Sequence, residues 1–116
     1  MIPRARSSVI GDDTVEKWLD LKKDSDGEPV QLSSLVALDV QVLGEFAGAK
    51  VGIEGRNFPD SDWSLLTDNF GIALEFTSGS TIKRSGSTAL FVRPNVVGGD
   101  DTTLLNVGIV VRKVRK

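Results

Sequence analysis

A chain of 116 residues supplies one domain and at most an arm, because a core of this size is rarely divided. It contains no Cys, His or Tyr, which excludes a disulfide framework, a thiolate or imidazole metal site and the commonest general base, and leaves carboxylates, Lys, Arg, Ser and Thr. The formal net charge of −2 hides an uneven distribution: all sixteen acids lie between Asp12 and Asp101 among only eight bases, so an acidic body carries basic ends.

Residues 1–13 (MIPRARSSVIGDD) read as an N-terminal arm, with Pro3, Ser7, Ser8 and Gly11, two bases in Arg4 and Arg6, and no period that buries a face. There is no apolar leader core in this segment, and nowhere do about 18 apolar residues run together. The expectation is therefore synthesis in a reducing cytoplasm and no membrane partner. Residues 14–23 (TVEKWLDLKK) fit two elements. Val15, Trp18 and Leu19 fall at helical spacing behind Asp13, with Glu16 in a capping-box position, whereas Leu19 and Leu21 flanking Asp20 suit a strand. The β character of the rest of the chain favours the strand, and DSDG at 24–27 then reads as a hairpin turn.

Residues 29–32 (PVQL) suit a short edge strand. From Asp39 the alternation is clean: Val40, Val42 and Phe46 on one face, Asp39, Gln41 and Glu45 on the other. AGA at 47–49 leads into KVGIEGR at 50–56, and two such strands joined by a short Gly turn predict an antiparallel hairpin. NFPDSD at 57–62 is a loop; Trp63 and Leu65 begin another strand; Phe70, Ile72, Leu74 and Phe76 line one face of the next. After a polar stretch at 81–84, residues 88–97 form a strand whose Pro94 calls for an edge or a bulge. Leu105, Val107, Ile109 and Val111 make the inward row of the last strand, and RKVRK at 112–116 begins a basic C-terminal tail. The fold expected is all-β: a jelly roll or β-sandwich of roughly eight antiparallel strands over residues 14–112, with the extended arm at 1–13 and the tail at 113–116.

Candidate chemistry is sparse. Asp12 with Asp13, Asp24 with Asp26, Asp60 with Asp62 and Asp100 with Asp101 invite a Ca²⁺ reading, but the DSDGE stretch lacks the later ligands of a calcium loop, and Asp in such places ordinarily bonds its own turn. The GGDDTT segment lacks the Lys of a phosphate loop and leads into a strand. Glu45 and Glu54 face outward, where paired carboxylates stay solvated. Neither a catalytic site, a metal nor a cofactor is expected. Trp63, Phe46, Phe58 and Phe91 are candidates for a carbohydrate platform, though core and edge packing is the commoner fate of aromatics. Arg93, on the face of Phe91, offers bidentate donors to a buried carboxylate or to an interface.

The runs VQVLGEFAGAKVGIEGRN (40–57), Trp63, LTDNFGIALEFT (66–77) and FVRPNVVGGDDTTLLNVGIVVR (91–112) together cover about two thirds of the chain. They resemble small capsid decoration, or cementing, proteins encoded in the head-gene regions of tailed bacteriophages and prophages. The resemblance implies a jelly roll on the exterior of a virion capsid, binding the major capsid protein, stapling neighbouring subunits and pairing with a second copy across a symmetry axis. Specific nucleic-acid binding is not expected, because the body is acidic and the basic tails alone give only non-specific, salt-sensitive attachment. The contact residues expected on this reading are Arg4, Arg6, Arg93, Arg112, Lys113, Arg115 and Lys116. This chain departs from the pattern after the "IEG" strand, where Arg56, Asn57, Phe58 and Pro59 replace a second Asn-Asp turn. The rival is a carbohydrate- or receptor-binding β-sandwich displayed on a virion, which predicts an open row of aromatics where cementing predicts apolar or charged patches.

Overall fold

The computed structural model describes residues 5–10, 13–32, 36–79, 81–86 and 89–113. Among them ten strands form two antiparallel sheets packed face to face. The first sheet has the order β1 (Ala5–Ile10), β2 (Asp13–Leu21), β10 (Leu104–Lys113), β4 (Val36–Glu45) and β8 (Ile82–Arg84). The second runs β3 (Val30–Gln31), β9 (Phe91–Val97), β5 (Lys50–Arg56) and β6 (Ser64–Leu65), and β7 (Glu75–Phe76) also pairs with β5.

Four nested pairs generate this order: β2 with β10, β3 with β9, β4 with β8, and β5 with β6. The two halves of the chain run side by side as one antiparallel ribbon, and the ribbon rolls so that successive pairs fall in alternate sheets. That is a jelly roll, with β1 added at one edge. Period-2 alternation drives it: Val40 and Val42, Val51 and Ile53, Val92 and Val96, and Leu105, Val107 and Ile109 all face the space between the sheets and are at most 2% exposed. Trp18 anchors one end of the core, fully buried, its Nε1–H donating to the Glu28 carbonyl at 2.9 Å.

Residues 13–21 form a strand, and a bulge explains their helical look. Trp18 pairs with Val107 and Leu21 with Leu105, so two residues of β2 stand against Asn106 alone. Asp20 takes the extra position at φ 59°, and its N–H donates to Asn106 Oδ1 at 3.0 Å. Trp18 and Leu21 therefore both point inward although three residues apart, while Leu19 faces out.

Four expectations are corrected. The AGA turn does not close a hairpin: β4 pairs with β10 and β8, and β5 with β9, so residues 46–49 form a corner between the sheets. The corner needs left-handed backbone at Ala47 (φ 47°) and Gly48 (φ 85°), and Gly44 at φ 120° passes so close to Leu104 that a Cβ would sit 2.3 Å from its carbonyl oxygen. DSDG likewise closes no hairpin; it lies along β9, with Val96 N–H donating to the Ser25 carbonyl at 2.7 Å and Gly27 N–H to that of Pro94 at 2.9 Å. The row from Phe70 to Phe76 divides, since Leu74 and Phe76 are buried but Phe70 and Ile72 are exposed. Their hairpin tip is held by Asp68 Oδ1, which accepts from the N–H groups of Phe70 (2.8 Å) and Ile72 (3.0 Å). Finally, residues 5–10 of the expected arm are hydrogen-bonded to β2 as β1.

Pro94 sits in a regular strand flanked by β5 and by residues 24–27. Its carbonyl points toward Gly27, and because the nitrogen and carbonyl of one strand residue face the same side, the missing N–H faces away from β5. The ladder to β5 loses nothing.

Candidate functional site

The outer face of the first sheet is built from three strands. Register places Lys17, Gly108 and Gln41 in one row across β2, β10 and β4, Val15, Val110 and Asp39 in the next, and Asn106 beside Leu43 on the other side. The outward residues in the middle of β10, Asn106, Gly108 and Val110, are short, so β10 becomes a floor and its neighbours become walls. Two adjoining cavities of about 210 and 290 Å³ share Lys17, Gln41 and Gly108 and together form one trough along β10. From Asn106 to Arg112 that trough spans six residue steps, roughly 20 Å.

Gly108 keeps the trough open. A Cβ there would meet nothing nearer than the Gln41 carbonyl oxygen at 4.0 Å. The walls carry apolar groups, among them Leu43 and Ile82, 48% and 65% exposed. The side chains of Lys17 and Gln41 have no hydrogen-bond or ion-pair partner among the described residues. Arg6 stands opposite Lys17 on β1 and is likewise unpaired, so two free cations lie together on a molecule whose body is acidic.

One end of the trough is closed by charge. Arg112 donates from Nε to Asp39 Oδ2 at 2.7 Å and from a terminal nitrogen to Asp13 Oδ2 at 3.0 Å, while Arg84 Nε donates to Asp39 Oδ1 at 2.8 Å. The hydrogen bond from Arg84, joined by that from Arg112, holds the Asp39 carboxyl below its ordinary range against the opposing effect of burial. Asp39 in turn raises the Arg84 guanidinium above its ordinary value. This end is a rigid, self-neutralised rim.

The residues expected to make contacts divide among several places. Arg6 and Arg112 lie on this outer face, Arg6 on the edge strand β1 beside Lys17 and Arg112 at the rim of the trough. Lys113 is the last residue of β10, and Arg4, Arg115 and Lys116 lie outside the described residues. Arg93 is on the opposite face of the molecule. There its Nε donates to Glu54 Oε1 at 3.1 Å, a terminal nitrogen lies 3.4 Å from Asp26 Oδ2, and its guanidinium rests 4.3 Å from the centroid of Trp63. Arg56 stacks on the same ring, also at 4.3 Å. Arg93 is therefore engaged within the fold.

Lys17, Gln41 and Gly108 escaped the sequence reading. Gly108 was the available signal, since a glycine inside a regular strand marks a bulge or a close approach, and no bulge is present at that point. Of the paired acids, Asp100 acts as a turn former: its Oδ1 accepts from Thr102 N–H at 2.7 Å and from its hydroxyl at 2.6 Å, and these bonds, the hydroxyl's first, lower the Asp100 pKa. Asp24 and Asp26 instead accept from Gly98 N–H and the Asn95 amide, and Asp13 pairs with Arg112. Among the described residues no three acidic side chains come together in a way that could hold a metal ion. No family model, curated protein or solved structure matches this chain.

Proposed function

We propose that this chain is a non-catalytic structural protein that binds the outer surface of a bacteriophage capsid and cements neighbouring major capsid subunits, docking through the outer face of its first sheet. The observation that carries the docking face is the trough floored by Gly108, with Lys17, Arg6 and Gln41, unpaired among the described residues, beside exposed Leu43 and Ile82. Such a surface combines apolar area with unpaired donors and suits an acidic protein surface. The sequence resemblance supplies the capsid as the partner.

Chain geometry supports a stapling role. Ala5 stands beside Trp18, which pairs with Val107, whereas Lys113 pairs with Val36 at the other end of β10. The basic segments thus start about 20 Å apart along the strand direction, at opposite ends of the sheet. Basic residues at opposite ends of the sheet suit contacts with different neighbours.

The carbohydrate-binding reading has less support. Trp63 is covered by the protein's own guanidinium groups, Phe46 is buried, and the exposed Phe58 and Phe70 belong to separate loops. No open aromatic row forms from them.

The test is to prepare particles with and without this protein and to titrate the purified chain onto the depleted particles. Lys17→Glu combined with Arg6→Glu is expected to weaken attachment by at least about tenfold without lowering Tm. Absence of the protein from particles that are equally stable without it would overturn the capsid assignment. Undiminished attachment of the doubly substituted chain would instead move the docking face elsewhere.

A further inference from the structure

A sheet edge exposes unpaired N–H and C=O groups, and folded proteins ordinarily blunt such edges by shortness, proline, bulges or inward charge. Three of the four edges here follow that rule. β3 and β6 have two residues each and β8 has three. β1 is the exception, with six consecutive residues in continuous register against β2 and no proline, bulge or acid. Its outer edge has no backbone partner among the described residues.

The side chains of β1 also lack cover. Ala5, Ser7 and Val9 share the face that looks toward the second sheet, because their partners on β2 are Trp18, Glu16 and Thr14. Ala5 packs against the core and Ser7 Oγ donates to Glu16 at 2.5 Å, but Val9 is 74% exposed. An apolar side chain at an unblunted edge is a surface arranged to be covered.

We infer that β1 is a self-pairing edge, through which two copies of this chain join antiparallel about a two-fold axis at Ser7 and continue the five-stranded sheet into one of ten strands. The sequence of β1 is complementary to itself in that register. A two-fold axis perpendicular to the sheet pairs residues of equal parity, which keeps each face continuous. Centred on Ser7, it sets Val9 against Ala5 of the other copy and Arg6 against Ser8. Val9 is then covered, and no like charges stand opposite one another. Centred on Arg6, it would place two guanidinium groups face to face. Charge permits a second copy at this edge, because β1 carries no acid and its one base, Arg6, would face the neutral Ser8 of the other copy. This inference concerns the free protein and stands or falls independently of the capsid reading.

Sedimentation of the full chain from about 5 to about 200 µM tests it, and a concentration-dependent dimer is expected. Val9→Lys, the charge that natural edges use, should weaken that dimer at least about tenfold with Tm preserved. The chain has no Cys, so single-cysteine variants give a clean register readout. Under oxidation Ser7→Cys should cross-link, its symmetry mate lying within the roughly 4.4–6.8 Å that a disulfide requires. Val9→Cys, four positions out of register with its own mate and about 13 Å from it, should not. A monomer throughout the concentration range overturns the proposal. So does a dimer that survives Val9→Lys, a cross-link through Val9→Cys in place of Ser7→Cys, or β1 amides that gain exchange protection only when a different protein is added.

Discussion

The two outer faces of this sandwich start from the same arithmetic and end differently. Each has a glycine at an outward position of a central strand, Gly52 in β5 and Gly108 in β10, and each carries charged residues in the neighbouring rows. On the second sheet the gap is filled: a Cβ on Gly52 would lie 2.5 Å from a methyl of Leu65, which reaches across from β6. The charges there are consumed, with Arg93 shared between Glu54 and Asp26 and two guanidiniums stacked on Trp63. On the first sheet Gly108 is left open, and Lys17 and Arg6 have no partner among the described residues. A face that satisfies itself contributes to folding, whereas a face that leaves donors and apolar groups uncovered keeps its interaction energy for a partner.

The largest effect that separates the faces is expected from Arg93→Ala against Lys17→Ala. Arg93 is 20% exposed and Glu54 18%, so deleting the guanidinium leaves a largely buried carboxylate without its donor and uncovers part of Trp63. A loss of about 2 kcal/mol is expected by chemical denaturation, with an unchanged m-value. Lys17→Ala should stay within about 0.5 kcal/mol of the parent. Equal effects at the two positions would erase the distinction between a closed and an open face.

A smaller effect comes from the rim, the one part of the first face that does neutralise itself. Asp39→Asn takes the shared anion from Arg84 and Arg112 and should lower Tm by roughly 3–6 °C at pH 7. The pH dependence follows from the sign of the shift. Asp39 titrates lower in the folded chain than when unfolded, so its contribution is complete above about pH 4 and is lost as pH falls through the folded value. The Tm difference between parent and Asp39→Asn should therefore be flat from pH 7 to about pH 5 and shrink in stronger acid. A difference that grows with acidification would mean that Asp39 is not held ionised by its two arginines.

Much of the fold was legible in the chain because burial imposes a strict period. The rows Val40 with Val42 and Leu105 through Val111 face the core as the alternation requires, and the strand at Asp13–Leu21 prevails over its helical alternative. What alternation does not encode is the sheet to which a strand belongs. A Gly turn looks the same whether it closes a hairpin or turns a corner between sheets, which is why the pattern sets β4 and β5 side by side when they lie in different sheets. Exposure at the ends of rows was equally hidden: Phe70 and Ile72 continue the pattern of Leu74 and Phe76 but lie beyond the sheet that would cover them. For the site, the charges of Arg6 and Arg112 were visible, but pairing decides which cations remain free. Arg93 and Arg112 are satisfied by acids distant in sequence, Glu54 and Asp39, and no local pattern distinguishes them from Lys17.

The smallest stability effect provides the sharpest comparison, because it changes one residue type at equivalent places on the two faces. Gly108→Val adds a β-branched side chain to a strand whose outward surface is open, and the backbone there needs no positive φ. Its expected consequence is a Tm unchanged or raised by a few degrees, since strand glycine carries an entropic cost that valine removes. Gly52→Val must instead displace Leu65, which is 43% exposed and able to swing toward solvent, so a loss of about 1 kcal/mol is expected. Binding should rank the other way. The Gly108→Val side chain fills the concavity that a docked segment would occupy and should weaken attachment to depleted particles, while the change at Gly52 leaves attachment as it was. Thermal scans and particle titrations on the two variants thus give opposite orders of severity if the open face is the docking face. The same order in both measurements would show that the emptiness above Gly108 is a packing accident of the strand.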